Sequence, residues 1–304
     1  MPASAAQARI TEVHWERCRL LPKGALPGIW ARAGTDLSPG SRTGAIFTLA
    51  GDVCVRGAEA AAPDMMLAGD SHAGALAQGF FEAAATAGRA GYQYSSNGFR
   101  PLPGLEQRGD PQWGRQSDAF TAFLRDHPGI RTVYLAVYWQ HQVSGSTYRH
   151  SGDVWTDADY DGSGTAYNPV AMANGLARLA GMFPDRQFVL LDDVPTGHMQ
   201  DLRTAVRAIR FGHVDDWSRT GIGAGEESAQ RALYEPVLTA VAAAHANVTY
   251  QPVFAGLCGE RTCPLFDGTT PLYRDGDHLG PAGSLRMAPV LLELLFRKAD
   301  AAAP

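Results

Sequence analysis

Short apolar runs that alternate with stretches of helical periodicity constrain this chain most. Met65–Ala68 reads as a buried strand, and His72–Gly88 follows with Leu76, Phe80, Phe81 and Ala84 at helical spacing. Gly91–Ser96 is a second strand, and Asp118–Asp126 a short helix carrying Phe120, Phe123 and Leu124. Arg131–Tyr138 is rich in Val, Leu and Tyr with little alternation, which suits a strand covered on both faces. The pattern continues with a helix at Pro169–Met182, a strand at Phe188–Leu191, an Ala-rich helix at Glu227–Ala246 interrupted by Pro236, and a strand at Val248–Val253. The last helix is expected over Pro281–Arg297, with Pro289 kinking or breaking it. This order implies a parallel sheet with helices on both faces. One domain is expected over 61–298, with residues 1–60, rich in Gly, Pro and Arg, as an irregular extension carrying a strand at Ala45–Leu49.

In such sheets ligands bind beyond the carboxyl ends of the strands. Ser71, Asn97-Gly98, Tyr138-Trp139-Gln140 and Asp192-Asp193 all follow expected strands and should share that edge. Leu67-Ala68-Gly69-Asp70-Ser71-His72-Ala73 places a serine where a helix begins. Glycine permits a tight exit from the strand, and the helix start offers backbone N–H groups to a developing oxyanion. Far away, Asp275-Gly276-Asp277-His278-Leu279 offers an aspartate and a histidine three positions apart, just before the last helix. Each block alone also describes an ordinary turn with a helix cap. Together they supply a nucleophile, a base and a group to orient the base, the minimum for acyl transfer through a serine ester.

Read together, these blocks resemble the SGNH (GDSL) esterases and acyltransferases, and more narrowly the SGNH domain fused behind acyltransferase-3 membrane proteins that O-acylate surface polysaccharides. Cys54 upstream of Gly69-Asp70-Ser71-His72, the Cys258…Cys263 pair and Leu272-Tyr273-Arg274-Asp275-Gly276-Asp277-His278-Leu279 carry the likeness, over roughly residues 50 to 297. The resemblance implies a flavodoxin-like three-layer α/β/α sandwich with a five-stranded parallel sheet. It makes Ser71 the nucleophile, His278 the general base and Asp275 its orienting carboxylate. The oxyanion would rest on the Ser71 and Gly98 N–H groups. His72, Asn97, Trp139 and Gln140 become substrate-lining candidates. The implied activity is extracytoplasmic serine O-acyl transfer, in the first place of acetyl, to a glycan or lipopolysaccharide. An esterase or a degenerate glycan-binding domain of the same fold are the alternatives. The implied partners are an acyl donor, a glycan acceptor and an acyltransferase-3 membrane module, fused or separate. The chemistry implies no cofactor.

The chain departs from the general family pattern after its third strand. Most relatives place Gly-x-Asn-Asp there, and the Asn side chain completes the oxyanion hole; here the strand ends Tyr138-Trp139-Gln140. The polysaccharide-acylating branch often carries an aromatic residue at this place. For Trp139 a core aromatic and a sugar-stacking role both stay open. His72 has first-turn packing as its plainer role. An α/β-hydrolase fits less well, because Gly69-Asp-Ser71-His-Ala73 fails Gly-x-Ser-x-Gly at its last position.

Other signals are weaker. Asp157, Asp159, Asp161 and Gly162 match the first half of a calcium loop, but the twelfth position is Asn168 and Pro169 follows, so a polar surface loop explains the same residues and no metal is expected. His141 and His198 follow expected strands without metal-ligand spacing. Cys258 and Cys263 flank a four-residue loop that a disulfide can close, which leaves Cys18 and Cys54 as a second possible pair; three connectivities are open and the sequence does not choose among them. Four reduced thiols or half a zinc site is the alternative, but no second close Cys/His pair lies near Cys258. A net charge of -5 without a basic stripe argues against nucleic acid. No apolar run approaches the roughly 20 residues of a membrane helix, and Met1-Pro2-Ala3-Ser4 does not open a signal peptide.

Overall fold

The computed structural model describes residues 19–20, 53–110, 112–147, 151–196 and 221–301. The central sheet contains β1 (Arg19–Leu20), β2 (Val53–Gly57), β3 (Pro63–Gly69), β4 (Ala90–Ser95), β6 (Thr132–Ala136), β8 (Gln187–Leu191) and β10 (Val248–Gln251). Their spatial order is β1-β2-β4-β3-β6-β8-β10. The last five in that order are mutually parallel, whereas β2 runs antiparallel to β4, and β1 antiparallel to β2. The expected five-stranded parallel sheet is therefore present, extended at one edge by two antiparallel strands. Both lie in the stretch 1–60 read as irregular. The expected strand at Ala45–Leu49 lies outside the described residues.

In chain order the parallel strands stack 2-1-3-4-5, the flavodoxin-like arrangement, and the winding reverses between β3 and β6. That reversal opens a crevice beyond the carboxyl ends of these two strands. Minor strands form ribbons: β5 (Glu106–Gln107) with β7 (Trp155–Thr156), β9 (Gly221–Gly223) with β11 (Thr262–Pro264), and β12 (Phe266–Asp267) with β13 (Thr270–Pro271).

Strand alternation divides the interior in two, because successive side chains point to opposite faces. Met66, Ala68, Val133, Leu135 and Leu190 meet the helices α2 (Gln112–Asp126), α4 (Asn168–Met182) and α5 (Ala224–Ala244) through Phe120, Phe123, Leu176 and Leu238. Met65, Leu67, Tyr134, Val189 and Leu191 face α1 (Ser71–Thr86) and α7 (Ala288–Ala301) through Leu76, Phe80, Leu291 and Leu295. Each fully buried Leu or Phe contributes roughly 1.5–3 kcal/mol relative to exposure.

Two prolines behave differently. The expected terminal helix is broken into α6 (Pro281–Arg286) and α7, with Met287 between them and Pro289 in the first turn of α7, where its missing N–H costs nothing. Pro236, by contrast, does not interrupt α5, which runs unbroken past it. Tyr234, Leu238 and Val241 are buried on that helix and hold the turn that proline weakens.

Candidate active site

The Gly69-Asp70-Ser71 block is shaped by contacts that exclude side chains. Gly69 closes β3 with φ 150°, and a Cβ there would sit 1.9 Å from the Ala136 carbonyl oxygen of the neighbouring strand. Only glycine lets the chain leave the sheet at this point. Asp70 then caps α1: its Oδ1 accepts the His72 N–H at 2.8 Å. Its Oδ2 accepts the Tyr138 N–H, also at 2.8 Å, from the loop after β6. The aspartate of Gly-Asp-Ser is thus both helix cap and clamp, and Ser71 is left free of the capping role. Burial raises the Asp70 carboxyl to about 6, against the hydrogen bonds from Tyr138 and His72 that lower it.

The histidine block reaches the same place through helix packing. A Cβ on Gly79 of α1 would lie 1.8 Å from the Ser284 carbonyl oxygen of α6. The Ser284 hydroxyl donates to the Leu76 carbonyl at 2.9 Å and accepts the Gly79 N–H at 2.9 Å. α6 is thereby docked on α1, and the loop before it lies over the start of α1.

The result is a continuous chain of contacts. Ser71 Oγ lies 2.6 Å from His278 Nε2, and His278 Nδ1 lies 2.8 Å from Asp275 Oδ1. Asp275 Oδ1 also accepts the backbone N–H of Asp277 at 3.2 Å and of His278 at 2.9 Å, so its orientation is fixed by its own loop. A second carboxylate oxygen, Asp277 Oδ1, is 2.8 Å from the same His278 Nδ1 but is not aligned for a hydrogen bond. Burial disfavours the His278 imidazolium, yet the Asp275 and Asp277 carboxylates outweigh it and raise this histidine to about 9. Burial acts the other way on Asp275, but hydrogen bonds from His278 and the backbone hold its carboxyl below the usual carboxylate range.

Asn97 and Gly98 sit in the turn after β4, beside the strand end that launches Ser71: Ser95 pairs with Gly69, and Ser96 N–H donates to the Gly69 carbonyl at 3.3 Å. Asn97 is exposed, and Gly98 has φ 69°. Arg100 fixes this turn by donating to the Gly98 carbonyl at 3.1 Å and to Gln142 Oε1 at 2.8 Å while stacking on Trp155. Neither the Ser71 nor the Gly98 N–H has a hydrogen-bond partner among the described residues.

His72 is buried, stacks on Tyr138 with ring centroids 4.4 Å apart, and lies 4.9 Å from the His278 ring. Burial, with the His278 charge beside it, holds it well below the ordinary histidine value. Trp139 does not line the site. It is fully buried, and its indole N–H donates to the Leu191 carbonyl at 2.6 Å, which makes it a core residue between β6 and β8. Gln140 is half-buried and borders an open cleft.

Asp192 and Asp193, expected at this edge, serve the backbone. Asp193 caps the short helix α3 (Trp139–Ser144) by accepting the Trp139 and Gln140 N–H groups at 2.8 and 2.7 Å. Asp192 Oδ1 accepts from Val253 and Phe254 at 2.7 and 3.1 Å. Burial raises both carboxyls, Asp192 to about 7. Sequence reasoning missed the double role of Asp70 and the cap of Asp193, although an acidic residue next to each strand end was the signal.

Among the described residues, His72, Asp277 and His278 form the one group with metal-like spacing, their donor atoms within 4.8 Å. Both His278 nitrogens already face Asp275 and Ser71, so a cation there would break that chain. The calcium-like loop is tied down differently: Asp157 accepts from Tyr167, Asn174, Arg178 and its own loop backbone, fastening the segment to α4. His141 pairs with Asp153 at 2.9 Å, and His198 lies outside the described residues. Cys258 and Cys263 form a disulfide, and Cys54 is also disulfide-bonded. Cys18 lies outside the described residues. No described helix is long and apolar enough to cross a membrane.

Among solved structures, the chain is similar to the periplasmic domain of a lipopolysaccharide acetyltransferase from Salmonella ser. Paratyphi A, with 16% identity, TM-score 0.52, and 77% of this chain and 84% of that one covered. At that identity the likeness is one of fold. Looser matches are a putative platelet activating factor from Streptococcus pneumonia (13% identity, TM-score 0.44, covering 97% of this chain and 100% of that one) and a peptidoglycan O-acetylesterase (13%, 0.39, 70% and 48%). No curated protein sequence gives a significant match. A family model described as an SGNH domain fused to AT3 domains matches residues 39–293, most of the length. The chain belongs to that SGNH domain family.

Proposed function

We propose that this domain moves O-acyl groups of a glycan through a covalent Ser71 ester. The contact chain Ser71–His278–Asp275 carries the reading. In the first half-reaction Ser71 Oγ attacks the acyl carbonyl carbon while His278 Nε2 takes the hydroxyl proton. The carbonyl electron pair moves onto oxygen, and the Ser71 and Gly98 N–H groups stabilise it. Collapse expels the leaving alkoxide, which receives the proton from His278. In the second half-reaction a sugar hydroxyl or water gives its proton to His278 and attacks the ester, and Ser71 Oγ leaves with that proton. Asp275 keeps Nδ1 protonated and the ring aimed throughout.

Transfer to a sugar, with acetyl as the acyl group, is the preferred outcome. Membership of a family described as fused to AT3 domains supports a membrane acyltransferase-3 module as the source of the acyl group, in the same polypeptide or beside it. On that reading the domain works outside the cytoplasm. A p-nitrophenyl acetate assay tests the chemistry. Ser71→Ala should cut kcat/KM by at least about 10⁴-fold, the scale on which serine triads lose rate. Full activity in that variant sinks the assignment.

A further inference from the structure

Beside the histidine loop lies a cleft of about 380 Å³, within the range of small-ligand sites. Gly276 and Asp277 form one wall, so the cleft adjoins the residue that precedes His278. Gln140 from α3, Thr196 from the segment after β8, and Glu226 and Leu233 from α5 also line it. Building on the acyl-transfer reading, we propose that this cleft is the sugar subsite, and that it takes a neutral pyranose in preference to sugars bearing a carboxylate or phosphate.

Three observations carry this. The polar groups are amides and hydroxyls held in fixed positions. Gln230 pairs with both backbone groups of Thr196, accepting its N–H at 3.2 Å and donating to its carbonyl. The Thr196 hydroxyl lies between two amide oxygens, 3.1 Å from Gln230 Oε1 and 3.3 Å from Gln140 Oε1, so its one proton is shared and the Gln140 amide turns its oxygen toward Thr196. Its Nε2 has no partner among the described residues and is left to donate to a sugar oxygen. Such groups bond hydroxyls without asking for charge.

The charged groups on the described walls are carboxylates, Glu226 and Asp277, and no Lys or Arg is among the described lining residues. An anionic sugar would meet like charge on these described walls. Finally, Leu233, 47% exposed, gives an apolar patch among the polar groups, with Tyr138 also lining the cleft. A pyranose ring has the same division, C–H faces and a hydroxyl rim.

The test compares kcat/KM for three esters: p-nitrophenyl acetate, a mono-O-acetylated methyl glucoside and the matching methyl glucuronide. The wild-type protein should prefer the glucoside over the glucuronide about tenfold or more. Gln140→Leu should lower the glucoside to p-nitrophenyl acetate ratio about tenfold, and the exposed Glu226→Gln should narrow the preference for the neutral sugar. Equal use of both sugars, or ratios unmoved in both variants, overturns the subsite while the Ser71 chemistry stands. A wild-type protein inert to p-nitrophenyl acetate overturns the chemistry and the subsite with it.

Discussion

Asp277 Oδ1 lies 2.8 Å from His278 Nδ1, the ring atom that Asp275 also holds. One carboxylate aligns the imidazole, and the other adds charge from a buried position. Their joint effect overcomes burial and raises His278 from 6.5 to about 9. A base must be neutral to accept the serine proton, so kcat/KM for p-nitrophenyl acetate should rise with pH along an acid limb displaced above the ordinary histidine value. Asp277→Asn should move that limb down toward 6.5. Asp275→Asn should instead lower the plateau by orders of magnitude, because the aligned acceptor is lost. A limb unmoved by Asp277→Asn refutes the charge role.

The same shift has a consequence for stability. The folded state holds the His278 proton more tightly than the unfolded chain does, so this contribution is complete below about 6.5 and is lost as pH rises through about 9. Chemical denaturation should show it as a loss between those values that His278→Gln removes.

Asp70 ties the first helix to the loop after β6 through two backbone N–H groups. Asp70→Ala removes a cap, worth about 0.5–2 kcal/mol, and leaves the buried Tyr138 N–H unpaired, worth about 1–3 kcal/mol. Stability should fall by roughly 2–4 kcal/mol in urea unfolding. Ser71 begins the helix that is capped, so kcat should fall too, with the esterase assay run well below the denaturation midpoint. Asp70→Asn keeps one acceptor and should recover about half of the stability.

Much of the site was legible in the sequence because strand ends are punctuated by small and acidic residues. The alternation of apolar runs and helices was enough for the sheet, and Gly69-Asp70-Ser71 marked the edge that holds the candidate site. What stayed hidden depends on contacts between distant segments. Nothing local shows that Asp70 spends one oxygen on Tyr138, 68 residues away, or that Asp193 caps a helix at Trp139. Trp139 reads equally as core or as sugar platform until its indole is seen against Leu191. Pro236 misled for a related reason: its cost is local, whereas the burial of Leu238 and Tyr234 that outweighs it is tertiary.

A core Trp139 and a sugar-stacking Trp139 differ in what a substitution changes. Trp139→Phe keeps most of the ring volume but leaves the Leu191 carbonyl without its indole donor, at a cost of about 1–3 kcal/mol. The expected result is a lower Tm with KM for acetylated glycosides unchanged. A raised KM at unchanged stability would return Trp139 to the substrate path.

The Cys258–Cys263 disulfide acts at one remove from the chemistry. It closes a loop spanning five positions, and Cys263 pairs with Ile222 in the ribbon that leads directly into α5. Chain-entropy arguments give a loop of this size about 2 kcal/mol. The bridge holds the ribbon, and the ribbon sets the start of α5, which carries Glu226 and Gln230. Paired Cys258→Ala and Cys263→Ala substitutions should therefore lower Tm and weaken selection between neutral and anionic sugars more than p-nitrophenyl acetate hydrolysis. The Ser71–His278–Asp275 chain is held by the docking of α6 on α1 through Ser284 and Gly79, so an equal loss of both activities would mean that the ribbon and the histidine loop unfold as one unit.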